Sequence, residues 1–230
     1  MIKGILFDFN GVIIDDEPIQ MRAYQEILGK EGIALTEEDY YSCLGMDDKT
    51  FVEEAYRRAA KEPEANKVLE ITLAKTNKWR ELVSDELPLF EGVDDFIKKM
   101  ANDFALGIVS MAKREEIEFV LEQSGLRECF SVIISAEDVT NCKPHSECYI
   151  RGFNALDSYR IRRQHLPMVH GECLVIEDSP PGIVSAKSAR LKALGVTNTV
   201  SAEALREAGA DAIAKNLDDW MPESVRCVFV

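Results

Sequence analysis

The sequence predicts an α/β protein: a three-layer core on a mostly parallel sheet, with an all-helical insertion near its start. Three observations predict this. Short apolar runs recur along the 230 residues and alternate with stretches of helical periodicity. The runs are apolar throughout rather than at every second position, as strands covered on both faces are. The stretch at residues 16–85 holds only helical pattern and breaks the alternation.

Taken in order, the first run is IKGILFDF at residues 2–9, which reaches Asp8 and then turns at Asn10-Gly11. Helical patterns follow at residues 19–28, 36–44, 50–60 and 68–83. Thr36 before Glu37, Glu38 and Asp39 has the form of a capped helix start. The chain returns through Asp85-Glu86-Leu87-Pro88, a hinge, so the expected division is a core of residues 1–15 and 86–230 and a helical domain of residues 16–85. Further strands are expected at residues 104–110 (FALGIVS), 132–135, 173–177 (CLVIE) and 212–214. Between them, Ile117, Val120 and Leu121 share the face of a helix at residues 113–124 that Gly125 stops, and shorter helices fit residues 181–191 and 202–208. A helical lid on such a core is expected to cover the carboxyl ends of the strands, where open parallel sheets bind ligands.

Composition narrows the function. With 27 basic against 41 acidic residues the net charge is -14, which argues against nucleic acid and anionic membrane surfaces as partners. No apolar stretch approaches a bilayer span, and the first residues do not have the form of a secretory signal. The six cysteines include no CxxC pair, so they read as reduced thiols of a cytoplasmic protein; a monomer or weak homodimer is expected. A zinc site from Cys142, His145 and Cys148 would lack the close-spaced pair that structural sites usually show.

Four clusters fall at expected strand ends: Asp8 with Asn10-Gly11, then Ser110, Lys143-Pro144, and Glu177-Asp178-Ser179. Alone, each carboxylate reads as a helix cap or a solvated loop charge. Together they bring three carboxylates, a hydroxyl and an ammonium to one sheet edge. Carboxylates crowded there call for a hard cation, and a donor set of oxygens favours Mg²⁺. Such a cation keeps one carboxylate ionised as a nucleophile toward phosphate, with Ser110 and Lys143 placed to hold the transferring group.

These segments resemble the motifs of the haloacid dehalogenase-like hydrolase superfamily, in its helical-cap subfamily of phosphoglycolate phosphatase-like and beta-phosphoglucomutase-like enzymes. FDFNGVIIDDEP is similar to that family's DxDGV and D-(T/S)-E-P opening, IVS at Ser110 to its second motif, CKPHSECY to its third and VIEDSPPGIVSAKSA to its fourth. The resemblance implies a Rossmann-like core and an aspartyl-phosphate formed on Asp8. It implies Ser110 and Lys143 as phosphate-binding residues. Mg²⁺ would be held by Asp8, the Asn10 carbonyl and Asp178, with Glu177 as a ligand or a partner through water. Gly45 and Lys49 fall in the cap's specificity loop, and Lys75 stands where a cap lysine reaches substrate. The implied partner is a small phosphorylated metabolite.

Asn10 departs from that pattern. Its family counterpart is an aspartate that serves as general acid and base, and an amide has no usable proton. Losing such assistance costs about 10²–10⁴ in rate. Three readings stay open: slow hydrolysis of a small phosphate monoester, a beta-phosphoglucomutase-like sugar phosphomutase, and a catalytically weak phosphometabolite-binding protein. Asp47 and Asp48 add negative charge near the leaving group, which favours a monophosphate over a bisphosphate. Phe51 and Trp79 are expected in the cap's own core.

Overall fold

The computed structural model describes residues 1–64 and 66–229. Six parallel strands form one sheet: β1 (Gly4–Phe7), β2 (Ala105–Val109), β3 (Val132–Ile134), β4 (Cys173–Glu177), β5 (Lys192–Val196) and β6 (Ala212–Ala214), in the order β3-β2-β1-β4-β5-β6. The order reverses beside β1, and a crevice opens at that switch point, beyond the carboxyl ends of the strands.

Alternate side chains of each strand supply two cores. Ile5, Phe7, Ile108 and Ile176 face one layer, which holds α5 (Val93–Ala101), α6 (Arg114–Gln123) and α10 (Pro222–Val228). Phe7 meets Phe96 and Phe130 edge to face there. Leu6, Val109 and Val175 face the other layer, made by α7 (Glu147–Arg162), α8 (Pro180–Ser188) and α9 (Ala202–Glu207). Both faces are covered, which is why the strands are apolar throughout.

Between β1 and α5 lie α1 (Glu17–Lys30), α2 (Glu37–Tyr41), α3 (Asp48–Arg58) and α4 (Lys67–Val83), with a hydrophobic cluster of their own around Tyr24, Leu28, Phe51, Val52 and Ile71. Thr36 and Asp39 form the expected capping box of α2. Trp79 packs with the sheet's core instead of this cluster, so α4 belongs partly to both. Among the elements the sequence reading passed over are α5, α10 and β5. The β5 segment KALGV is rich in alanine and glycine, residues that are uncommon in strands, and its place is set by pairing with β4.

Candidate active site

The central strands deliver the site. Phe7 of β1 pairs with Ile108 of β2 and with Ile176 of β4, so Asp8, Ser110 and Asp178 emerge side by side, one or two residues past those pairs. Asp8 stays on the ladder through its backbone N–H to the Ile176 carbonyl (2.9 Å), and its Oδ1 accepts from the Phe9 N–H (2.8 Å). Its Oδ2 lies 2.8 Å from Lys143 Nζ, which also donates to Glu177 Oε1 at 2.6 Å. Tyr149 donates to the same Glu177 oxygen (3.0 Å), while Oε2 accepts from the N–H groups of Asp178 and Ser179 (both 3.0 Å) and from Ser179 Oγ (2.9 Å). Ser110 is buried, and its Oγ accepts from the Ala112 N–H (3.1 Å). Gly11 has φ +74°, and a Cβ there would come within 2.0 Å of Asp178 Oδ2. Only glycine lets the loop after β1 lie against that carboxylate.

One ammonium faces three buried carboxylates, whose ligand atoms all lie within 4.8 Å of one another. Burial drives the Asp178 carboxyl well above its usual range, and the Glu177 and Asp8 charges add to the shift. Burial also pushes Asp8 up to about 7, with Lys143 pulling it down and Glu177 raising it. Burial works against ionised Glu177 as well, but the Lys143 charge and hydrogen bond hold it below the usual carboxylate range. This surplus of negative charge on oxygen donors fits a hard divalent cation. The fit falls on Asp8 and Asp178, because both oxygens of Glu177 are already engaged by five donors. It is the one such cluster among the described residues. Cys148 lies against Ser185 and His145 Nδ1 accepts from the Glu147 N–H, so the zinc alternative is not supported.

Asn10 lies at a polar junction. Its Nδ2 donates to Asp16 Oδ1 (2.8 Å), while Gln20 Nε2 (2.9 Å) and Trp79 Nε1 (2.6 Å) donate to Asp16 Oδ2. Two cavities meet beside it. One, of about 410 Å³, is lined by Asp8, Ser110, Lys143 and Asp178. The other, of about 490 Å³, lies beneath the helical segment and is lined by Gln20, Tyr24, Asp48, Lys75 and Glu116. Lys75 is buried there between Asp48 (3.0 Å) and Glu116 (3.1 Å). Gln20 Oε1, Asp48 Oδ2 and Glu116 Oε2 are buried acceptors with no hydrogen bond.

Gly45 lines both cavities with φ +87°, and a Cβ on it would sit 3.2 Å from Pro181 and 3.4 Å from the Lys143 side chain. Lys49 does not take the position expected of it. It is exposed, pairs with Glu53 at 3.9 Å and lines neither cavity, while Asp48 turns inward. Asp47, expected near the leaving group, caps α3 by accepting from the Thr50 N–H (2.7 Å). Sequence reasoning passed over Asp16, Glu17, Glu116 and Tyr149. Asp16 and Glu17 were within reach, since both fall in the DDEP turn.

A parallel sheet with an acidic cleft at its carboxyl edge, roofed by helices inserted after the first strand, defines a capped α/β hydrolase. The chain belongs to the haloacid dehalogenase-like hydrolase family, whose characteristic sequence covers residues 5–196. Its fold matches that of beta-phosphoglucomutase from Clostridium difficile with a TM-score of 0.85 at 21% identity, covering 100% of this chain and 97% of that one. The phosphorylated carbohydrates phosphatase of Thermotoga maritima is 27% identical over 219 residues, 93% of this chain and 94% of its own length. Suppressor of quenching 1 of Arabidopsis thaliana is 26% identical over 223 residues, 94% of this chain, which spans only 20% of that longer protein. No helix among the described residues is long and apolar enough to cross a membrane.

Proposed function

We propose that this chain hydrolyses phosphate monoesters of small hydroxylated compounds by phosphoryl transfer to Asp8. The observation that carries the reading is the convergence of Asp8, Ser110, Lys143 and Asp178 on one cleft, with Asp8 Oδ2 2.8 Å from the Lys143 ammonium. Asp8 attacks phosphorus, and Ser110 and Lys143 bind the phosphoryl oxygens. Glu177 fixes the Lys143 ammonium between itself and Asp8. Asp8, Asp178 and the Asn10 carbonyl would hold Mg²⁺, which would supply positive charge to the phosphoryl group. Residues 16–85 act as the cap that excludes water from the cleft.

The leaving group occupies the cavity under the cap. Its buried acceptors without hydrogen bonds, on Gln20, Asp48 and Glu116, suit hydroxyl hydrogens, and Lys75 and Lys113 are already engaged by the two carboxylates, so no ammonium there is left for a second phosphate. A sugar or polyol monophosphate meets both conditions, in keeping with the phosphatase of phosphorylated carbohydrates among the relatives. The test is Mg²⁺-dependent phosphate release from a panel of monophosphates and bisphosphates, with wild type beside Asp8→Asn. Release from sugar or polyol monophosphates, abolished in Asp8→Asn and at least about tenfold slower for bisphosphates, is the expected result. Undiminished release by Asp8→Asn would refute the nucleophile.

A further inference from the structure

With an amide at position 10, the phosphoryl-transfer reading lacks its usual proton carrier. We propose that Glu17 fills that role, giving a proton to the departing oxygen and then taking one from the attacking water. The inference rests on that reading and deepens it. Its first support is position. Six residues line both the cleft of Asp8 and the cavity under the cap: Asn10, Glu17, Leu44, Gly45, Met46 and Met111. A scissile P–O bond runs from the first space into the second, so a group that serves its bridging oxygen must border both. Glu17 alone among the six is titratable.

The second support is how the carboxyl is held. Tyr40 donates to Glu17 Oε2 at 2.5 Å, whereas Oε1 has no hydrogen-bond partner among the described residues. One oxygen is thereby fixed and the other left for chemistry. Asp16, the neighbouring carboxylate, is unsuited to the task because Asn10, Gln20 and Trp79 occupy both of its oxygens. The third support is proton affinity. Burial and the Asp16 charge push Glu17 up to about 7, Asp15 adds to this, and the Tyr40 hydrogen bond and the Lys75 charge oppose it. Tyr41 and Asp178 also lie within its electrostatic reach. An acid–base group works best when its pKa lies near the operating pH.

The sequence balances in two steps. An Asp8 oxygen forms the new bond to phosphorus as the ester P–O bond breaks, and the Glu17 carboxyl proton passes to the leaving oxygen to give the free alcohol. Glu17, now a carboxylate, accepts a proton from water as that water's oxygen attacks phosphorus. Inorganic phosphate leaves, and the Asp8 carboxylate and the protonated Glu17 are restored.

The test compares wild type and Glu17→Gln on an alkyl phosphate and on p-nitrophenyl phosphate, whose phenolate departs without a proton. Both are repeated in a background carrying Asn10→Asp with Asp16→Asn, which places a titratable carboxylate at position 10 and keeps an amide–carboxylate pair at the junction. Glu17→Gln is expected to lower alkyl phosphate turnover by about 10²-fold or more. It should also leave a fast burst of p-nitrophenolate followed by slow steady release. In the doubly substituted background the same change should cost less than about tenfold, which also shows that the variant folds.

Wild-type-like turnover in Glu17→Gln would overturn the proposal. So would an equal loss in both backgrounds, which would mark Glu17 as a binding or folding residue. Activity that appears only with the aspartate at position 10 would show that the wild-type chain has no proton carrier. Silence in every version, with no burst, would refute the phosphoryl-transfer reading itself.

Discussion

Changing Asn10 to aspartate alone, the obvious restoration of the family pattern, should destabilise the protein, and more so as pH rises. The Asn10 amide donates to Asp16 Oδ1 at 2.8 Å, and Asp16 is fully buried. A carboxylate in the amide's place turns a donor–acceptor contact into two like charges. Relaxed to about 4 Å, they repel by about 4 kcal/mol at an effective dielectric of 20. That energy equals about three pKa units, so the folded variant holds a shared proton well above the ordinary carboxylate range. Unfolded, both groups ionise near 4. The variant's stability is therefore intact at low pH, where the shared proton still makes a hydrogen bond, and is lost as pH rises through the raised folded-state pKa.

Urea unfolding followed by circular dichroism, without divalent metal, should give a penalty relative to wild type of about 1.5 kcal/mol at pH 5 and near 4 kcal/mol at pH 8. Adding Asp16→Asn should remove most of the pH dependence. A penalty that is flat between pH 5 and pH 8 would refute the reasoning.

Two further outcomes follow from the same charges. Mg²⁺ should raise the melting temperature more at pH 8 than at pH 5.5. Asp178 and Asp8 are raised in the fold, so they hold protons that compete with the cation at the lower pH and stand as uncompensated charge at the higher one. At a hundredfold excess over Kd the stabilisation is about 2.7 kcal/mol, and an equal shift at both pH values in a thermal scan would contradict it. Lys75→Met strands the buried Glu116 carboxylate, while Asp48 keeps Tyr24 (2.6 Å) and Lys113 (3.6 Å), and should cost about 3–5 kcal/mol in chemical denaturation, part of which Glu116→Gln restores.

The core was legible because its signals are local. Apolar runs at β1, β2 and β4 each end in a polar residue, and parallel register then forces Asp8, Ser110 and Asp178 together. The β5 strand lacked such a signal, since its alanine and glycine take their conformation from β4. In the helical segment the charges were visible but their directions were not. Whether Asp48 or Lys49 faces the cavity depends on the phase of α3, which is set by Asp47 capping its first turn. Glu17 shows the same limit: its residue type is plain in the DDEP turn, yet its place between two cavities arises only when α1 and α2 pack. The Asn10 substitution was evident from its neighbours in sequence, whereas its reason, the buried Asp16 it satisfies, lies in the fold.

That junction also ties the choice of residue at position 10 to the one at position 16 in any redesign. Asp16 takes hydrogen bonds from the loop after β1, from α1 and from α4 at once, so it pins both ends of the inserted segment to the strand that carries Asp8. With a buried carboxylate at 16, aspartate at 10 alone sets two acids against each other. Placing a carboxylate at position 10 without that conflict takes two coordinated changes, one at each site.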